Sequence, residues 1–143
     1  MDQLTQATKI TMLFAGAMFL WALLLGTLKY AQIMRSPENR AHPYTDIAHR
    51  AALLYSFALL LISAFVQFGE WSTAVNLVAA CALAAYFAIA VLGYTVHGLR
   101  KDTENQLADA GTGMQTLMLS LIAVEIGAFV VLLAGFIDRQ FVH

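Results

Sequence analysis

Four long apolar runs, roughly 10–34, 51–69, 72–97 and 112–137, dominate this 143-residue chain and are joined by shorter polar segments. Each is close to or above the ~18–20 apolar residues that carry an α-helix across a hydrocarbon core of ~30 Å. The pattern predicts an all-α integral membrane four-helix bundle, a single four-span domain over residues 1–143. Any function then sits between helices or at their ends. Composition agrees: the chain is 60% hydrophobic and 12% charged, with a mean hydropathy of +0.70, against ~25% charged residues in an average soluble domain.

The first run is expected to be a retained span rather than a secretory signal. It is long, no short cationic segment precedes it, and no small-x-small cleavage pattern follows. Cys81 is the only cysteine and lies inside the third run, which excludes an intrachain disulfide or a CxxC redox pair and leaves a small packing residue. Net charge is −1, and no basic cluster argues for nucleic acid or a headgroup surface. There is no Gly-rich phosphate loop, no Gly-x-Ser-x-Gly and no His-Glu-x-x-His, so hydrolase and nucleotide-dependent chemistry have no basis. A lone bundle of this size offers few buried sites, so a homo-oligomer among membrane lipids is expected.

The distribution of Lys and Arg sets the expected orientation. Lys9 and Arg139 fall on one side, and Lys29, Arg35, Arg40, Arg50, Arg100 and Lys101 on the other. This predicts an N-out/C-out protein with the first and third loops cytoplasmic, in a bacterial inner membrane. The second connection, Gly69–Ser72, is a tight turn with Trp71 at headgroup level. The first, about Met34 to Arg50, and the third, Gly98–Gly111 with Asp102, Glu104 and Asp109, are longer and lie together. A catalytic or binding mouth is expected on their side.

Polar residues near or inside the spans are the candidates for chemistry. His42, His49 and His97 cluster on the long-loop side, and a neutral imidazole is both a metal ligand and a proton shuttle. His49 is expected at the start of the second helix and His97 at the end of the third; His143 is terminal. Tyr86, Ala90, Gly93, Tyr94 and His97 share one stripe of the third helix, where Ala90 and Gly93 leave room for a ligand or for close helix approach. Ala79, Ala80, Ala82, Ala84, Ala85 and Ala88 make that helix slim. Glu125 stands at the centre of the fourth span, where a comparable acid costs ~3 kcal/mol to insert. It is expected to face the interior, either in a functional role or as a protonated carboxyl donating to Tyr86, Ser63 or a neighbouring subunit.

The arrangement resembles the small four-span membrane isomerases, styrene oxide isomerase and the hydroxylaminobenzene mutases. The residues that carry the likeness are Ala48-His49, preceded by Ser36-Pro37-Glu38, then Tyr94, and the entry to the fourth helix at Ala110-Gly111-Thr112-Gly113. The resemblance implies a trimer in which His49 is the axial ligand of a haem b held between subunits. Tyr94 and Tyr55 would be pocket groups, with Tyr86, Glu125, His97 and His42 as supporting hydrogen bonders. It implies rearrangement of a small lipophilic aromatic or epoxide, with ferric iron as the Lewis acid. Two positions depart from the family: Tyr55 replaces an asparagine and Tyr86 replaces an acid.

A second likeness is to the membrane-associated eicosanoid and glutathione metabolism proteins, echoed in Arg40-Ala41-His42-Pro43-Tyr44-Thr45-Asp46. Tyr44 stands there for an asparagine and Asp46 is out of step. It implies a glutathione-dependent transferase with an anion site at Arg40, Arg50 and Arg100. A third reading is non-enzymatic: an accessory subunit, or a proton or solute conductor centred on Glu125.

Overall fold

The structure, a computed structural model, describes residues 4–108 and 111–142. Asp109, Ala110 and His143 lie outside the described residues. Four helices follow one another: α1 (Gln6–Arg35), α2 (Pro43–Phe68), α3 (Thr73–Arg100) and α4 (Thr112–Ile137), with a short π-helical end at Asp138–Val142. All four are long and apolar enough to cross a membrane, and the chain is an integral membrane protein. Their outer faces carry side chains such as Leu13, Leu54, Val78, Leu119 and Ile126, all more than half exposed. In water such a surface would aggregate; in lipid it is the solvated face.

Side-chain caps start three of the helices. Thr5 Oγ1 accepts from Thr8 N at 3.2 Å, and Ser72 Oγ accepts from Val75 N at 3.4 Å. The largest difference from the sequence expectation is at α2, which begins at Pro43 and not near residue 51. Proline at the first helical position forfeits no hydrogen bond, and His42 Nδ1 caps the turn by accepting from Tyr44 N at 3.3 Å. Asp46 reads as a loop residue because it is charged. Folded, it pairs with Lys29 of α1 at 2.5 Å and with Arg50 one turn on at 3.0 Å. The first connection therefore shrinks to residues 36–42, and His49 lies about two turns inside the helix rather than at its start.

α1 and α2 form the most extensive pairing in the bundle. Ala7, Ala22, Ala48 and Ala52 are fully buried, which lets the two backbones approach closely. Gln67 closes one end of this pair, accepting from Thr5 N at 3.0 Å and from Thr8 Oγ1 at 2.8 Å. Gln32 closes the other: its Oε1 accepts from His42 N at 2.9 Å and its Nε2 donates to Gly98 O of α3 at 3.1 Å. The α2–α3 turn is tied by buried Asn76, whose Nδ2 donates to Val66 O at 3.3 Å and to Trp71 O at 3.1 Å.

α4 is attached differently. Leu132 and Gly135 are its only buried residues, and both lie near its C-terminal end. There Trp71 Nε1 donates to Val131 O at 2.6 Å, Glu70 N to Gly135 O at 3.0 Å, and Gln140 Nε2 to Phe68 O at 3.0 Å. Trp71, expected at headgroup level, lies directly over the glycine at 135. The other end of α4 starts at Gly111 without a side-chain cap. The helix is clamped at the short-turn face, and Ser120, accepting from Tyr86 Oη at 3.1 Å, ties it to α3 farther along.

Candidate functional site

The candidate residues fall into three separate places. His49 faces α1. Its ring lies against Gly26, where an added Cβ would come within 3.1 Å of Cε1, and its Nδ1 sits 2.9 Å from the carbonyl oxygen of Ala22. A carbonyl can only accept, so Nδ1 carries the proton and the Nε2 lone pair is left free. That is the tautomer a metal-ligating histidine uses, oriented by a backbone carbonyl. The Asp46 carboxylate with its two cations lies one turn away on the same helix.

His42, seven residues earlier, has the opposite arrangement. Its Nδ1 accepts from Tyr44 N, so the neutral ring carries its proton on Nε2 and has no free lone pair. Of the two neutral rings, His49 is the one whose hydrogen bond leaves a ring lone pair over. That difference rests on a contact from another helix, which the sequence does not display.

The second place gathers rings at the long-loop end. Tyr44 stacks on Tyr94 at 5.9 Å and on His42 at 6.2 Å, and lies 5.4 Å from His97. Its Oη accepts from Gln106 N at 2.6 Å, docking the third loop. Tyr44, which in sequence falls in the first connection, is the hub of the cluster because α2 starts at Pro43. Gly93, beside Tyr94 in the stripe, has nothing within 4 Å of where a Cβ would stand. Its lack of a side chain therefore leaves open space there rather than a close helix contact.

His97 Nδ1 meets Asp102 Oδ1 at 2.7 Å. The hydrogen bond from His97 holds the Asp102 carboxyl below the usual carboxylate range. A carboxyl depressed on folding stabilises the fold above its ordinary value, about 3.9, and that contribution is lost as pH falls through the lower folded value. Protection of the third-loop amides, corrected for intrinsic exchange, is expected to drop in wild type as pH falls below about 4. In Asp102→Asn it should be low throughout and insensitive to pH. Hydrogen exchange checks both; equal protection in the two proteins would show that the pair does not hold the loop.

A polar cavity of about 400 Å3 adjoins this cluster, lined among others by Arg35, Glu38, Arg40, His42, Lys101 and Glu104. Of the three arginines expected to form an anion site only Arg40 reaches it. Arg50 is held by Asp46, and Arg100 does not line it.

The third place is within the spans. Glu125 lines an apolar cleft between α2, α3 and α4. The partners expected for it are engaged elsewhere: Tyr86 Oη donates to Ser120 Oγ at 3.1 Å, and Ser63 Oγ to Leu60 O at 2.6 Å. Tyr55 stacks face to face at 4.2 Å and 4° on Phe87, which lines the same cleft. Tyr55 and Tyr94 are thus held by α3 and by the loop-end cluster, and neither has a recorded contact with His49. Cys81 is a half-buried free thiol.

The free Nε2 of His49 fits an axial ligand of a haem. The imidazole packs against Gly26 of α1, so a macrocycle held there lies at the edge of the bundle. Among the described residues no three His, Cys, Asp or Glu side chains group to hold a bare metal ion. No family model, no curated protein and no solved structure matches this chain.

Proposed function

We propose that this protein is a membrane-embedded isomerase or mutase that rearranges a small lipophilic aromatic or epoxide. In this reading it works as a homotrimer with a haem b held at His49 between copies, and with its long loops facing the cytoplasm of a bacterial inner membrane. The observation that carries the reading is the Nδ1–H···O=C contact from His49 to Ala22 at 2.9 Å, which presents Nε2 as a ligand from inside an apolar span. When bound, the haem iron supplies a Lewis acid at a substrate oxygen, worth several kcal/mol of charge stabilisation. The chain's own part is positional. Gly26 lets the imidazole lie flat against α1, and the Ala22 carbonyl fixes its tautomer. The apolar spans admit a substrate that has partitioned into the bilayer and exclude water from it. Tyr94 and Tyr55 stand in this proposal as pocket groups, each held in place by a ring of its own chain.

The test is a visible spectrum of protein purified in mild detergent, oxidised and then reduced with dithionite. Wild type and His42→Ala are expected to show a Soret band that shifts on reduction, and His49→Ala to lose it while keeping its unfolding temperature. A colourless, folded wild type would falsify the proposal, as would a band that survives His49→Ala.

A further inference from the structure

The cleft beside Glu125 lies on the other side of α2 from His49 and is independent of the haem reading. Its volume is about 390 Å3, within the range of small-molecule pockets. Glu125 Oε1 is shielded from solvent and has no hydrogen-bond partner among the described residues. The surrounding wall is carbon, including Ala58, Leu61, Leu83 and the rings of Phe87 and Phe129. Both rings are held from behind, Phe87 by the Tyr55 stack and Phe129 by the edge of Phe65 at 5.4 Å. The pocket is therefore shaped before anything enters it. The buried residues of α4 are Leu132 and Gly135, so its face at Glu125 is only partly covered by the bundle.

A carboxyl in such a place is expensive, and its Oε1 accepts no hydrogen bond among the described residues. A second copy of the chain has few donors to bring. Ser56, Ser63, Thr95 and Ser120 already donate to carbonyls of their own helices. A ligand with a basic nitrogen answers both features of the site. Its ammonium form pairs with the carboxylate at low dielectric, where the attraction is strong, and aromatic faces favour a cation over a neutral group. We propose that this cleft binds a lipophilic amine, with Glu125 at the nitrogen and Phe87 and Phe129 flanking it. A neutral amine arriving through the hydrocarbon takes the carboxyl proton. The O–H bond breaks as the N–H bond forms, and no proton enters or leaves the site.

Equilibrium dialysis of proteoliposomes against empty vesicles of the same lipid tests this with 1-naphthylmethylamine and its uncharged isostere 1-ethylnaphthalene. Wild type is expected to bind the amine saturably and the isostere only as lipid does. Glu125→Gln should weaken amine binding by about tenfold or more. Ala58→Trp, which fills the cleft and keeps the carboxyl, should weaken it as well. Circular dichroism and light scattering check that both variants fold and assemble. Absence of a saturable component, equal affinity in Glu125→Gln, or equal binding of the isostere each overturns the proposal. So does loss of the oligomer in Glu125→Gln without amine binding, which would assign the cleft to a second copy. The Soret spectrum reads the His49 proposal separately, so either can fail alone.

Discussion

Gly98→Ala is expected to be the most damaging single-methyl change in this protein. A Cβ at position 98 would stand 2.8 Å from Thr45 N and 3.0 Å from Thr45 Cα. The obstacle is the backbone of α2, so no side chain can rotate out of the way and the two helices must part. Gly98 O also accepts from Gln32 Nε2, and Gln32 Oε1 in turn holds His42 N. Moving α3 therefore loosens the cap of α2 and the first connection together. Overpacking usually costs about 1–3 kcal/mol, and a backbone obstacle puts this case at about 3 kcal/mol. Gly93→Ala, with nothing within 4 Å, is the matched control and should stay within about 0.5 kcal/mol of wild type. Denaturant titration in mild detergent compares the two. A Gly98→Ala protein as stable as wild type would mean that α2 and α3 do not touch here.

Gly135→Ala is expected to release α4. The indole of Trp71 occupies the space a Cβ would take, so the ring must leave and give up its 2.6 Å bond to Val131 O. Because the buried contacts of α4 lie at this end, the loss reaches the whole helix, including the wall that carries Glu125. A cost of about 2 kcal/mol follows from the displaced ring and the lost hydrogen bond. Trp71 emission should also change as the indole moves, with Trp21 a constant background. Gly127→Ala, at an open position on the same helix, controls for the added methyl. Unaltered emission and stability in Gly135→Ala would refute the clamp.

The errors in the sequence reading trace to the same cause. Pro43 and Asp46 look like loop residues because a proline and a charge are unfavourable in an isolated apolar span. They belong to α2 because Pro43 is at its first position and Lys29 of another helix pairs with Asp46. Tyr86 was expected to meet Glu125 from depth alone, but helix rotation gave it Ser120. The alanines of the third helix make it slim, and the most extensive pairing is that of α1 and α2, through alanines spaced along both.

What the sequence determined by itself is the set of four spans and their membrane character. Crossing hydrocarbon demands ~18–20 apolar residues whatever the neighbours are, so the signal is local and additive along the chain. It also identified Glu125 as anomalous, since a charge amid apolar residues is visible without coordinates. The tertiary structure alone decided which ring nitrogen of His49 is free, because the carbonyl that sets it belongs to α1. It alone showed that α4 is clamped at one end and that Glu125 Oε1 lies in a cleft with no hydrogen-bond partner among the described residues. Those outcomes depend on helix rotation and packing, which are set by close contacts between residues distant in sequence, Gly98 against Thr45 and Gly135 against Trp71.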